Sequence, residues 1–454
     1  HTSSASTKLI HGGLRYLEYY EFGLVRKALQ EREVLLRAAP HIIRPLSFVM
    51  PHSPELRPAW LIRAGLFLYD HLAKRDLLPA SQSVDLRTHA AGQPLKPAFT
   101  QGFTYADAWV DDARLVVLNA LDAYERGGRI LPRTRCVSAQ RYADLWNVTL
   151  QPADQPAQVV RCRALVNAAG PWVTNVLRNA LGMASQPQLR LAKGSHIIVR
   201  RLFEHDHAYL LQNPDKRILF AIPYEGEFTL IGTTDVEYDG DPANAVISET
   251  EITYLCDMAN GYFARGITPA DVICSYSGVR PLLADEARNL SEVTRDYLLE
   301  CDATSQSAPL LTVFGGKITT CRRLAEEALT LLSPSLAHKK PAWTAHAPLP
   351  GGDIPHADFD AFFREFRRAV SWLPDTLARR YARAYGNRVD GLLAGARNLT
   401  DLGEDFGDGL YEAEIDYLVR HEWAQTAEDI LWRRSKLGLH VAPGTAARLA
   451  KRMG

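Results

Sequence analysis

Three arginines, two histidines and one lysine carry most of the chemistry legible in this sequence. In YSGVRPLL, Tyr276 to Leu283, Arg280 precedes a proline, which keeps its backbone extended and fixes the departure direction of its side chain. VTRDY adds Arg295, and HGGLRYL adds Arg15. Guanidinium forks grip phosphate bidentately, so Arg15, Arg280 and Arg295 converging on one pocket would read a phosphomonoester dianion; taken singly, each is more often a surface ion pair. KGSHIIV puts His196 at the start of a strand, and LIGTTDVEY, Leu230 to Tyr238, ends another in a polar turn that could line the same pocket. An imidazole of ordinary pKa, about 6.5, suits removal of an alcohol proton as hydride leaves the carbon. His11 competes with His196 for that role, and a lone histidine is more often a hydrogen-bonded structural residue.

Glycine-rich segments supply the second kind of chemistry. VFGGKITTCRRLAEEAL sets Gly315 and Gly316 between an apolar strand and a helix whose first turn holds Thr319 and Thr320. Exposed amides, a positive helix end and Lys317 would stabilise negative charge, as on the N1/O2 side of a flavin ring accepting hydride. The bland alternative is a capped helix with a solvated lysine. VNAAGPW ends a strand at Gly170 and Pro171, a point where backbone can approach a nucleotide closely, or an ordinary strand-to-helix turn. SSASTKLIHGGLRYL crowds hydroxyls, Lys8, His11 and the Gly12–Gly13 pair into one stretch, able to hold a pyrophosphate or ribityl chain, or to form only a surface loop.

These groups need a scaffold of some size, and 454 residues with 46% hydrophobic content suffice for two or three domains. With 52 basic against 52 acidic residues there is no global field favouring nucleic acid, so an anion site must be local. Six cysteines without a C-x-x-C pair argue for reduced thiols and against a zinc site. No run of roughly 18 apolar residues suggests a membrane span. The spacing predicts one long helix from Tyr16 to Ala38 and another over Leu56–Arg75, the latter either a domain-packing helix or a basic amphipathic anchor on anionic lipid. A helix over Leu115–Tyr124 and strands at ALVNAAG, HIIVR and RILFAIP follow. After PLPGGD, Phe359, Phe362, Phe363 and Phe366 at i, i+3, i+4 and i+7 begin a helical region.

Taken together, SSASTKLIHGGLRYLEYYEFGLVRKALQEREVLL, WVDDARLV, NAAGPW, KGSHIIV, LIGTTDVEY, YSGVRPL, VTRDY, FGGKITT and DLGEDFG closely resemble, in order and over essentially the whole chain, the bacterial aerobic FAD-dependent glycerol-3-phosphate dehydrogenases. The resemblance implies an α/β, mixed α+β fold. A Rossmann-like FAD-binding domain (1–45, 105–190 and 305–335) would interleave with a mixed-sheet substrate domain (46–104 and 191–304), ahead of an all-helical domain (341–454). It implies oxidation of sn-glycerol 3-phosphate to dihydroxyacetone phosphate, with electrons passing from FAD to membrane quinone. The family expectation is a homodimer held peripherally on the cytoplasmic face of the inner membrane.

By the same resemblance Arg15, Arg280 and Arg295 hold the substrate phosphate with Tyr16 close by, and His196 is the leading base. Lys317 lies beside flavin and substrate hydroxyl, with Arg280 the third residue of the reacting centre. Ser3, Ser4, Thr7, Lys8, His11, Gly12, Gly13, Gly170, Gly315, Gly316, Ile318 and Thr319 contact FAD. The family's strand, G-x-G-x-x-G turn and helix, expected ahead of the Ser/Thr cluster, are not in these 454 residues, so the chain reads as a fragment whose own FAD binding is in question. An oxygen-using glycerol-3-phosphate oxidase, an amine or amino-acid oxidase, and an inactive dimerising or membrane-binding fragment are the alternatives.

Overall fold

The run Ile197–Val199, apolar on both faces, lies inside the strand Leu189–Arg200, where every residue from Ala192 to Val199 is buried. Strands buried on both faces occupy the middle of a sheet. This one pairs antiparallel with Phe228–Gly232 on one edge and with Val272–Leu283 on the other. The computed structural model describes the chain apart from Pro54, Leu56, Ala143, 184–188, 214–216, 284–296, 304–306, 338–339 and Gly454.

The large sheet continues from Phe228–Gly232 through Ile218–Tyr224, Ala208–Gln212, Ile43–His52 and Gln101–Val110 to the short strand Leu9–Ile10. Ile43–His52 and Ala208–Gln212 run parallel, whereas the other pairs along this path are antiparallel. A second sheet joins Tyr297–Asp302, Leu310–Gly315 and Leu165–Asn167, the last two in parallel. A third is the meander Thr134–Tyr142, Leu145–Pro152 and Gln158–Cys162. The mixed α/β architecture expected from the sequence is thus observed.

Helices follow the local signals, with corrections at their starts. The predicted helix from Tyr16 starts only at Phe22; Leu14–Tyr19 forms a tighter 3₁₀ turn, and Tyr20 in the left-handed conformation breaks the path before Phe22–Ala38. Apolar spacing cannot report such a break, because both segments pack toward one core. The predicted helix over Leu56–Arg75 contracts to Ala59–His71, since Pro58 sits at its N-cap with an extended backbone. Asp112–Glu125 is capped by the Asp111 side chain, which accepts from the Arg114 amide.

After Pro341 the chain is helical, with Phe359–Ala369, Asp375–Tyr385, Glu412–Glu422 and Thr445–Met453 around a core of their own. Phe359, Phe363 and Phe366 enter that core, and Phe362 packs against its margin. This bundle is tied to Asp112–Glu125 by a buried pair, in which Arg114 Nη2 donates to Glu422 Oε1 at 2.8 Å and Arg114 Nε to the Ala384 carbonyl at 3.1 Å.

Candidate active site

The ends of Leu165–Asn167 and Leu310–Gly315 open onto a cavity of about 1110 Å³. Ligands of open α/β sheets bind beyond the carboxyl ends of parallel strands, and these two strands place Gly170 and the Gly315–Gly316 pair there. Gly170, Gly315 and Gly316 have φ of +57°, +76° and +103°, conformations costly for any residue with a Cβ. A Cβ on Gly170 would project into open space, which leaves backbone accessible to a ligand. Ser3, Ser4, Lys317 and Ile318 also line the cavity. Seven of the residues assigned to the cofactor from sequence therefore share one wall space, joined by Thr2, by Ala168, Ala169 and Trp172 of the VNAAGPW segment, and by Arg433 and Arg434, which the sequence does not place at the cofactor. Arg433 and Arg434 come from more than 100 residues downstream, beyond the reach of any local pattern.

FAD is long, two planar ring systems joined by a ribityl-pyrophosphate chain, and this cavity exceeds the range of about 300–1,000 Å³ usual for small-molecule sites. Its serine hydroxyls, close-approach glycines and lysine suit a dinucleotide with a flavin. The helix after the glycines begins at Cys321, one 3₁₀ turn (Ile318–Thr320) later than the sequence suggests. Lys317 and the Gly315–Gly316 backbone are accordingly the groups at the cavity, and Thr319 and Thr320 are buried.

Other predicted residues act from within the protein. Thr319 Oγ1 accepts from the His11 amide at 3.3 Å. The Gly12 amide donates to Tyr69 Oη at 2.9 Å, and that hydroxyl in turn donates to Asp107, whose carboxylate is held by Arg32 at 2.6 Å. A Cβ on Gly12 would stand 2.6 Å from both Leu29 Cδ2 and Tyr69 Oη, so a larger residue would have to displace both side chains. Gly13, at φ +77°, starts the 3₁₀ turn carrying Arg15 and Tyr16. The Lys317 ammonium lies 3.9 Å from the centre of the Tyr16 ring.

His196 is buried, its Nε2 3.0 Å from Thr7 Oγ1 and its ring stacked on Tyr276 at 4.7 Å. Burial, then the like charges of Lys8 and Arg280, push its pKa down to about 3, so the ring is neutral. Strand register explains the company: Tyr276 opposes His196, and Arg280 opposes Ala192 four residues along, so Tyr276 and Arg280 share a face. Arg280 Nη2 is 3.0 Å from Asp235 Oδ1. Lys8 is buried in an ion pair with Asp112. Arg15 Nη2 donates to Tyr19 Oη at 3.3 Å. Arg295 falls outside the described residues.

Residues 1–322 match the family described as FAD dependent oxidoreductase, and residues 342–453 match the C-terminal domain of alpha-glycerophosphate oxidase. A glycerol-3-phosphate dehydrogenase of Pseudomonas aeruginosa is 56% identical over 99% of this chain and 87% of its own length. The D-erythritol 1-phosphate dehydrogenase of Brucella abortus is 52% identical (98% and 89% covered), and the aerobic glycerol-3-phosphate dehydrogenase of Escherichia coli K12 is 50% identical (99% and 89%). Among solved structures, the glycerol-3-phosphate dehydrogenase of Bacillus halodurans complexed with FAD superposes with a TM-score of 0.74 at 26% identity, covering 96% of this chain and 78% of that one. The chain belongs to the FAD-dependent oxidoreductases, in the branch that carries the alpha-glycerophosphate oxidase C-terminal domain.

Proposed function

We propose that the protein oxidises sn-glycerol 3-phosphate to dihydroxyacetone phosphate and passes the electrons to membrane quinone. The observation that carries this reading is the gathering of Ser3, Ser4, Gly170 and Gly315–Ile318 around one cavity in a chain more than half identical to a glycerol-3-phosphate dehydrogenase. When bound, FAD supplies the hydride acceptor. Lys317 puts positive charge at the cavity, and the cation is steadied over Tyr16. Arg280, oriented by Asp235, serves the phosphate with Arg15 and Arg295. His196 takes the hydroxyl proton. Its ring starts neutral, and a phosphate dianion at Arg280 would offset the like charge that adds to burial and Lys8 in holding its basicity down.

The relative that acts on D-erythritol 1-phosphate, at 52% identity, favours a second reading in which the substrate is a four-carbon polyol phosphate. Dye-linked oxidation of both compounds by the FAD-loaded protein decides between them, and oxygen consumption separates a dehydrogenase from an oxidase. Arg280→Ala is expected to abolish most turnover, with KM raised on the order of 100-fold for loss of a charged phosphate contact. Full activity in that variant, or turnover of amino acids in the parent protein, would refute the proposal.

For the lipid surface, the supporting feature is Ala59–His71, which leaves Trp60 71% and Phe67 57% exposed beside Leu61 and Leu68, with Arg57, Lys74 and Arg75 near its ends. Among the described residues no helix is long and apolar enough to cross a membrane. Such a face fits peripheral attachment to anionic lipid. Co-sedimentation with phosphatidylglycerol vesicles should fall several-fold in Trp60→Ser/Phe67→Ser, on the scale of lost apolar insertion; unchanged binding would exclude this helix.

A further inference from the structure

Asp112 is wholly buried beside the cavity-lining Ala113, and it organises the segment that runs from the cavity to His196. One carboxylate oxygen accepts from both the amide and the hydroxyl of Ser6, at 3.0 and 2.8 Å. The other accepts from the Lys8 ammonium and the Ala113 amide, each at 2.8 Å. Ser6 Oγ accepts in turn from the Lys8 amide at 2.9 Å, and the Ser6 carbonyl accepts from Tyr276 Oη at 2.8 Å. Thr7 is therefore clamped on both sides, and its hydroxyl meets His196 Nε2 at 3.0 Å. Lys8 has φ +60°, a conformation unfavourable for a side-chain-bearing residue that persists where the surroundings over-determine it.

We propose that the Lys8–Asp112 pair is a positioning device for the redox site: by clamping Ser6 and Lys8 it holds the Thr7 hydroxyl on Nε2 and so sets the orientation of the His196 imidazole. The proposal rests on the oxidoreductase reading given above. A pair serving stability alone would not need these particular groups, because buried ion pairs are commonly replaced by apolar residues of similar volume at little or no loss. Replacing Lys8 and Asp112 together by Met and Leu removes the Ser6 bonds and leaves the site packed, which separates the two roles. Around the imidazole, Gly232 provides the floor, since a Cβ there would lie 2.1 Å from His196 Cδ2, and Tyr276 stacks on the ring. Neither replaces the Thr7 hydroxyl as partner of Nε2.

The test combines the ring-nitrogen resonances of ¹⁵N-histidine-labelled protein with kcat and KM of the FAD-loaded enzyme. Thr7→Val, Asp112→Asn and Lys8→Met/Asp112→Leu should each shift the His196 nitrogen signals in the same direction and lower kcat on the order of 10- to 100-fold, the scale of a misplaced reacting group, with KM changed less. Thr7→Ser should restore both. Thr7→Val/Asp112→Asn should be no slower than Thr7→Val, because both changes interrupt one path. His196 signals and kcat matching the parent in the folded Met/Leu variant would overturn the proposal, as would losses that multiply in the Thr7/Asp112 double variant. If Asp112→Asn does not fold, the Met/Leu variant carries the comparison. Should the parent enzyme oxidise neither polyol phosphate, the substrate reading fails and the histidine signals still decide on the pair.

Discussion

Among the described residues, His41 and His196 are the two buried imidazoles whose basicity the fold suppresses most, each to about 3. Burial is the larger cause in both, joined at His41 by Arg114 and Arg383. An unfolded chain protonates these rings near 6.5 and the native protein does not. Their stabilising contribution is therefore complete above about pH 6.5 and is lost as pH falls from there toward 3, at up to about 1.4 kcal/mol per pH unit for each ring. Among the described residues neither ring nitrogen of His41 has a hydrogen-bond partner, so His41→Leu removes no such bond and should flatten the pH dependence by one such slope. Urea melts at pH 7, 6 and 5 check it, and an unaltered slope would show that His41 is not held neutral. The sequence marked His196 for chemistry, but burial and the approach of Lys8 from 188 positions earlier come from tertiary packing.

The strand-to-turn element Leu310–Gly315 and its following turn depend on glycine for backbone geometry. Gly316→Ala meets φ +103° and sets a Cβ 3.0 Å from Leu324 Cδ1. A loss of about 1–3 kcal/mol in stability and weaker FAD retention are expected, read by thermal melts and flavin absorbance. Parent-like values for both would deny this turn its role at the cavity. Such elements were readable because Gly-Gly after an apolar run signals a backbone requirement directly. The start of Phe22–Ala38 was not, since a left-handed Tyr20 leaves no mark in residue type. Asp112 illustrates the limit from the other side: its neighbour Asp111 caps the helix locally, whereas the reach of Asp112 to Lys8 crosses 104 residues.

At the scale of the molecule, the helical bundle is locked to the rest by Arg114 and Glu422, both essentially inaccessible to solvent. Removing one partner strands a buried charge, so Glu422→Ala should cost about 3–5 kcal/mol, while Arg114→Met/Glu422→Leu should recover most of that. Denaturant unfolding distinguishes them, and equal losses would mean that packing rather than charge joins the two parts. Arg433 and Arg434 reach the cavity from this same bundle, so its docking bears on the site as well as on stability.

The amino-acid order by itself determined the class of fold, the glycine turns and the helical character after Pro341, because those follow from local backbone preference and from apolar spacing over short windows. It also marked the hydroxyl-rich and glycine-rich segments that wall the cavity. Tertiary structure alone decided which polar groups face that cavity and which bind one another. Lys8 pairs with Asp112, Thr319 carries the His11 amide, and Gly12 leans on Tyr69, contacts whose partners lie 57 to 308 residues apart. A charge or hydroxyl has the same identity in sequence whether it meets a ligand or a buried partner, and only the packing that removes water settles which.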